Sequence, residues 1–583
     1  MDATPDELAA RFPWPAPPHP AVVPAPIRHA GWSSESTDAL LAALKDNHTR
    51  WHIFFNEKHF HNHATHHLLA IYAMGAPAGV LGAAYHTHEV YQKPAFPPPE
   101  TDEARLAREA IAKVVIDDAN WKDFLGDERY YQAYVSFFAR KLQDKSAGKN
   151  AIQRVLETYV FSDGANLAPG KSADGQKPLM LGRFLGGFLH PLIHAGYGAE
   201  FSLPGLIAEG IAEAAVQASE ADALFTPELF GVLPAGTFAS RFVSFIDRSS
   251  VPPSSPAGAV HALAVLAKIA KDPAFEPRNV GLPVPPDADE KSVDRVVRLG
   301  GTKLVGYLQS WFGTVAQDAP TLRAKFEEIA WMNTTIYAVG GWAGRELGED
   351  EKKEFNGDFF LMHLVTSTLL MSSLLNVLTP KSAALLLKTY FAFSIVLYIA
   401  RGRPPLPIAE FYAATSAHPH PPGAMPEPDK DTLPPSEPRA QLTPNPWLAL
   451  VQSTLVHPNE HFCKAQRALY HYAEWLGGVR AGAFADCAAA DIPSVDASAQ
   501  GSTGGQAGGL TGAKHLDGTL FVRAAGLTAA RLGWMREGEA GRGWDSVGFF
   551  PAEQEERRVD AAREEQARMQ RFRGAGGMMY HVR

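Results

Sequence analysis

Cysteine is nearly missing from this chain: Cys463 and Cys487 are the only two in 583 residues. That excludes a disulfide framework and a cysteine-built zinc site, and it suits a reducing, cytoplasmic interior. An excess of positive charge is missing too. Lys and Arg number 54 against 63 Asp and Glu, a formal net charge of −9; such a chain is a poor partner for nucleic acid or an anionic membrane surface. The N-terminus, MDATPDELAARFPWPAPPHP, has neither the basic nor the apolar region of a signal peptide, so no secretory signal is expected. Sustained period-two alternation bounded by turn residues is absent, which argues against a sheet as the organising element. No Gly-x-Gly-x-x-Gly follows a strand, so no dinucleotide-binding unit is expected within the chain. No solenoid-like repeat is present.

Long hydrophobic runs are few. FFLMHLVTSTLLMSSLLNVL (Phe359–Leu378) and ALLLKTYFAFSIVLYIA (Ala384–Ala400) approach the length a bilayer requires. The first carries His363, Asn376 and several Ser and Thr, and the second carries Lys388 in mid-run. Charged and polar groups of this kind are rare inside spans, so both segments are expected to be core helices and no membrane partner is expected.

What is present is helical periodicity. STDALLAALKDNH, RYYQAYVSFFARKLQ, NAIQRVLETYVF and SLPGLIAEGIAEAAVQASEADALF repeat apolar residues at helical spacing, the first behind Ser and Thr caps. The pattern predicts a mainly α protein: one large helical domain with Pro-rich and Gly/Ser-rich surface loops. Residues 1–35 read as an irregular Pro/Ala-rich segment and 36–415 as a helical catalytic domain. Residues 416–446 read as a Pro-rich linker, and 447–583 as a helical extension packed on the core, with 494–515 flexible. The stretch PAEQEERRVDAAREEQARMQRFR reads as a solvated terminal helix.

Histidine is the outstanding feature. Of 22 in the chain, seven lie in HFHNHATHHLLAIYAMGAPAGVLGAAYHTHEVYQKP (His59–Pro94). His63 and His67 are four apart, as are His190 and His194 in GGFLHPLIHAGYGAEF, and a four-residue spacing puts two side chains on one helix face. Pro191 fits a first helical turn, where its missing N–H costs nothing. His363 stands alone in its apolar run. Any one pair could be packing or chance, and a lone buried histidine is ordinarily satisfied by the core. Two pairs and a third imidazole in one helical domain can converge on a single ion, and imidazole suits iron, zinc, copper or nickel. His86 and His88 read as a surface loop. The Glu-x-x-His pattern of di-iron bundles is missing, since Glu200, Glu209 and Glu213 do not form it; a mononuclear, His-dominated site is expected.

Lys388 has apolar neighbours on nearly every side. A buried ammonium is costly unless paired or deprotonated. Either the side chain snorkels to a helix flank, or it is neutral or modified. Carboxylated by CO₂, it would become an oxygen ligand that the histidines lack.

FHNHATHHLLAIYAMGA, AAYHTHEVYQKP, GGFLHPLIHAGYGAEF, DFFLMHLVTSTLL, LLLKTYFAFSIVLYIARG and GTLFVRAAGLT, taken in order, resemble the questin oxidase-like family. Its members are fungal tailoring enzymes of aromatic polyketide pathways, described as Baeyer–Villiger-type oxidases or ring-cleaving oxygenases of anthraquinones. The resemblance implies a non-haem iron oxygenase that uses O₂ to cleave a ring of an anthraquinone-like substrate. It implies Fe²⁺ held among His63, His67, His194, His363 and a carboxylated Lys388, with His190 and Lys388 as the candidate catalytic groups. One iron cannot take every matching residue and still admit oxygen, so some histidines would face substrate or support a ligand. Prior reduction of the quinone would draw on NADPH or a partner reductase. Two other readings remain open on the residues alone: a zinc-dependent hydrolase in a helical domain, and a non-catalytic helical ligand-binding protein. The bound metal separates the three.

Overall fold

The structure, a computed structural model, describes residues 3–17, 22–95, 101, 106, 111, 113–144, 150–168, 177–227, 229–230, 259–285, 288, 290–313, 315–347, 353–424, 429–433, 443–489 and 509–550. The expected solvated terminal helix and most of 494–515 lie outside these residues. The fold is mainly α, as the periodicity predicts. Among the described residues the sheet content is one antiparallel ladder of two-residue strands, Glu346–Leu347 with Lys353–Glu354.

The principal helices are α1 (Pro5–Arg11), α2 (Ser34–Arg50), α3 (Ala64–Ala73), α4 (Ala78–Glu89), α5 (Tyr131–Gln143), α6 (Met180–Phe201) and α7 (Pro204–Val216). After these come α8 (Ser292–Phe312), α9 (Ala319–Ala343), α10 (Phe359–Val377), α11 (Pro380–Ala400), α12 (Glu460–Leu476) and α13 (Leu520–Leu532). The N-terminal segment is not irregular throughout. Thr4 caps α1 and forms a reciprocal capping box with Glu7, while Pro5 occupies the first turn, where no N–H is needed. Ser33 caps α2 in the same way with Ser36.

Helix α6 is the centre of the packing, and it is broken. Gly186 is extended, and Gly187, Phe188 and Leu189 have φ of 55°, 53° and 69° before the helix resumes at His190. Two consecutive non-glycine residues in the left-handed region cost about 1–2 kcal/mol each, a strain that surrounding structure must hold in place. Pro191 falls in the first turn of the resumed helix, as its sequence context predicts. Beyond the break, glycines let neighbouring backbones close in. A Cβ on Gly196 would lie 2.6 Å from the Leu370 Cβ on α10, one on Gly198 would lie 2.7 Å from the Ile207 N, and one on Gly210 of α7 would lie 2.6 Å from the Ala195 N.

Helices α10 and α11 are the two apolar runs. Each is long and apolar enough to cross a bilayer, yet 83% and 94% of their most apolar windows are buried inside the protein. Several of their polar residues are paired within that core. The Tyr390 hydroxyl lies 2.6 Å from Ser367 Oγ and 2.9 Å from Thr368 Oγ1, and Asn333 on α9 donates to Thr368 and to Ser394. Asn376 accepts from the backbone of Val22 and Val23 and donates back to the Val23 carbonyl. Ser367, Thr368, Tyr390 and Ser394 thus join α9, α10 and α11 to one another.

Helix α12 is more than an appended extension. It packs among α3, α10 and α13. The Tyr472 hydroxyl donates to the Val365 carbonyl, Gln466 donates to the Ala525 carbonyl, and Arg467 forms a buried ion pair with Glu200 of α6.

The α6–α10 contact generates a stability test. Gly196→Val should be destabilising by about 1–3 kcal/mol through overpacking, read as a lower chemical-denaturation midpoint. Gly82→Ala, on α4 where a Cβ meets nothing within 4 Å, should instead raise stability by about 0.5–1 kcal/mol. Equal midpoints for the two variants would contradict this packing.

Candidate metal centre

Three imidazoles from three separate elements converge: His63 at the N-terminus of α3, His190 at the restart of α6 and His461 in the first turn of α12. Their ligand nitrogens all lie within 4.8 Å of one another. His63 Nε2 and His190 Nε2 are 2.7 Å apart, and the His63 and His461 rings are 4.4 Å apart. His363 stands beside them, its ring 5.0 Å from both His190 and His461. All four are buried.

The tautomers follow from the second nitrogen of each ring. His190 Nδ1 lies 2.6 Å from the Gly187 carbonyl, to which only an N–H can be donated. The strained break in α6 is what points that carbonyl at the ring. His363 Nδ1 donates likewise to the Phe359 carbonyl at 2.7 Å, and His461 Nδ1 lies 3.0 Å from a Glu460 oxygen. Each neutral ring then presents an unprotonated Nε2. The Nε2 atoms of His363 and His461 have no hydrogen-bond partner although buried. Burial, reinforced by neighbouring histidines and Lys464, holds His63, His190 and His363 well below the ordinary histidine range and His461 at about 4. Neutral imidazoles with orphaned lone pairs, each fixed through its other nitrogen, are a donor set fitted to a transition-metal ion.

A second layer lies behind the first. His66 Nε2 is 3.2 Å from His194 Nδ1, and His194 Nε2 is 2.6 Å from Glu209 Oε2. The other Glu209 oxygen is bonded to His48 Nδ1, and His48 Nε2 accepts from Arg11 at 3.0 Å. Burial raises the Glu209 carboxyl, but His48 and His194 on its two oxygens outweigh that and hold it at about 2. Glu213, one turn along α7, is pushed the opposite way by burial and by Glu209, and neither of its oxygens accepts a hydrogen bond.

Lys464, one turn after His461, is the lysine of this site. Its ammonium is buried with no hydrogen-bond partner. Burial pushes it down to about 7 against the opposing pull of Glu460, Cys463 and Glu213, and its charge depresses His61, His63, His66, His190, His363 and His461.

Of the residues expected from sequence, His63, His190 and His363 come together. His194 stands behind them on Glu209. His67 turns away, its Nδ1 3.0 Å from His88 Nε2 and its Nε2 3.5 Å from Cys463 Sγ. The reason is local: His63 has φ −100° and ψ 0° and lies outside α3, so the four-residue spacing does not put it on the His67 face. Lys388 does not join the cluster either. Its ammonium lies 4.7 Å from the Phe312 ring centroid and lines a separate cavity. His86 and His88 are on helix α4 and not in a loop; His86 is exposed beside Glu89, and His88 is buried. Sequence reasoning missed His461 and Lys464 because the C-terminal region reads as an extension. The signal available was NEHFCKAQRALYHYAEW, a histidine and a lysine three apart on a strongly amphipathic helix.

Fold and site together define a mainly α protein with a buried multi-histidine centre assembled from both ends of the chain. The chain belongs to the questin oxidase-like family, whose pattern it matches over residues 60–469. It is 24% identical over 441 residues to the oxidoreductase AflY of Aspergillus parasiticus, covering 74% of this chain and 72% of that protein. It is 33% identical over 183 residues to the Baeyer-Villiger monooxygenase AacuH of Aspergillus aculeatus, a match spanning 31% of this chain and 33% of AacuH. Questin oxidase of Aspergillus fumigatus is 31% identical over 172 residues, 30% of this chain and 33% of that enzyme.

Metal analysis of substituted proteins tests the centre. His63→Ala, His190→Ala and His461→Ala should each lower bound metal at least several-fold with helical circular dichroism retained, whereas His67→Ala should keep it near the wild-type level. Metal loss in His67→Ala together with full occupancy in His461→Ala would reverse the assignment.

Proposed function

We propose that this protein is an oxygenase of secondary metabolism that uses O₂ to cleave a ring of an anthraquinone-like aromatic polyketide at a mononuclear iron held by histidines. The observation that carries the reading is the convergence of four neutral imidazoles, two with orphaned Nε2 atoms, in a chain whose relatives bear the names Baeyer–Villiger oxidase and questin oxidase. His63, His190 and His461 would hold the ion, with His363 as a fourth donor. Bound iron supplies O₂ activation, chemistry that no side chain offers. Electrons for a preceding quinone reduction would come from NADPH or a partner reductase.

The chain's own groups have definable tasks in this reading. The carbonyls of Gly187 and Phe359 hold His190 and His363 in the Nδ1–H tautomer, and Glu460 does the same for His461. Glu213, raised by burial and by Glu209, is a carboxyl poised to give up a proton beside the histidines. Lys464 takes the role that sequence reasoning gave to Lys388. Its ammonium, buried without a partner, would give up one proton to become the free amine and a second on adding CO₂, so that a carbamate, an anionic oxygen donor among imidazoles, replaces a cation.

Two measurements test this. Turnover under ¹⁸O₂ should place one labelled atom in the product for a Baeyer–Villiger insertion, or two for dioxygenative cleavage. Label arriving only from H₂¹⁸O would point to a hydrolase. Independently of turnover, ¹³C-bicarbonate should give a carbamate carbonyl resonance in the wild type that survives Lys388→Met and disappears in Lys464→Met. A resonance lost in Lys388→Met and kept in Lys464→Met would return the role to Lys388.

A further inference from the structure

Lys388 lies in mid-helix on α11, and its side chain reaches into a cavity of about 210 Å³ between that helix, α8 and the segment around Leu224. Leu224, Phe225, Leu304, Leu308, Phe312 and Phe393 make most of the wall. Lys388 is the one charged side chain among the described lining residues, and Gln309 lies on the same wall. No carboxylate among the described residues pairs with the ammonium. Its recorded interaction is with the face of Phe312, at 4.7 Å from the ring centroid. Such a contact recovers only part of the hydration an ammonium loses on leaving water. Burial alone, with no charged neighbour, lowers the Lys388 amine. Lys388 is half-buried, and its ammonium lies over an aromatic ring in a hollow walled mostly by leucine and phenylalanine.

We propose that this cavity is a binding site for a small apolar monocarboxylate, its anion paired with Lys388 and its hydrocarbon body against the leucine and phenylalanine walls. A single cation matches a single negative charge. Among the described lining residues there is no arginine fork and no second lysine for a phosphate or other dianion. The volume is below the roughly 300–1,000 Å³ typical of drug-sized ligands, which fits a two-ring or medium-chain acid. The carboxylate would supply the counter-ion the lysine lacks, while the walls supply the non-directional part of the affinity. The site is separate from the histidine centre, whose residues do not line it, and it stands or falls independently of the oxygenase reading.

The test uses the full chain with its metal, and 2-naphthoate as the probe, with the uncharged 2-naphthamide as comparison. Calorimetry should show saturable 2-naphthoate binding that is at least about tenfold tighter than the amide, the scale of one well-placed charged hydrogen bond. Lys388→Met should remove that preference while leaving the metal content at the wild-type level. A site-specific readout needs no variant: 2-naphthoate should slow trinitrobenzenesulfonate modification of the peptide that carries Lys388, followed by mass spectrometry. Equal affinity for acid and amide, undiminished acid binding in Lys388→Met, or an unchanged modification rate at saturating probe would each overturn the proposal. Loss of metal from the histidine variants, with naphthoate protection intact, would bear on the metal centre alone.

Discussion

The arrangement around the histidine centre answers one constraint: the imidazoles of His63, His190, His363 and His461 have been taken out of water, which favours their neutral form. A protonated histidine at these depths would be a buried cation, a costly species unless it is paired. Neutrality is secured by giving each ring one definite partner. His190 and His363 donate to backbone carbonyls, His461 faces Glu460, and His66 and His194 form a file that ends on Glu209. Each partner fixes which nitrogen carries the proton, and so which nitrogen is left to face the centre. The break in α6 belongs to the same constraint. The residue four on from Gly187 is Pro191, which has no N–H to offer its carbonyl, so that carbonyl is left to the His190 ring.

The fold makes this possible by close approach. Glycines on α6 and α7 bring three helices to backbone contact, which removes the space that water would need around the rings. The polar residues of α10 serve the same end from the other side. The His363 carbonyl accepts from Thr366 and Ser367, and Ser367 also meets Tyr390 of α11. Helix α10, which presents His363, is thus locked by side-chain hydrogen bonds as well as by apolar packing. Helix α12 enters from the C-terminal part of the chain and closes the centre with His461 and Lys464, so the site is complete only when both ends of the sequence have folded together.

The helical class and the burial of the two apolar runs were legible in the sequence, because each rests on local pattern: periodicity and interrupting polar residues; His63, His190 and His363 were singled out there too, and the fold brings their rings together. What was illegible depended on which helices meet. Spacing assigns faces only inside a regular helix, and His63 lies just outside one, so its four-residue partner proved to be on another face. His461 and Lys464 lie 398 and 401 residues beyond His63 in the chain, and no local signal reports such a contact. Lys388 was read correctly as an amine in apolar surroundings, but hydrophobic flanks state that a group is buried and not what it is buried against.

The two carboxylates of α7 show why the charge of Lys464 matters. Glu209 and Glu213 are one turn apart, yet Glu209 is held as an anion by His48 and His194 while Glu213 is driven toward its neutral acid form by burial and by Glu209 itself. Environments that separate two like groups in this way assign them different roles. Glu209 is already taken up in hydrogen bonds with its own two histidines, and the uncommitted Glu213 tends to be uncharged. A divalent cation among neutral imidazoles would therefore find its compensating negative charge chiefly in Glu460 behind His461, and a charged Lys464 would repel it. The repulsion disappears when the Lys464 amine is neutral and becomes attraction when it is carboxylated. On the proposed reading, metal affinity would follow the state of one lysine on α12.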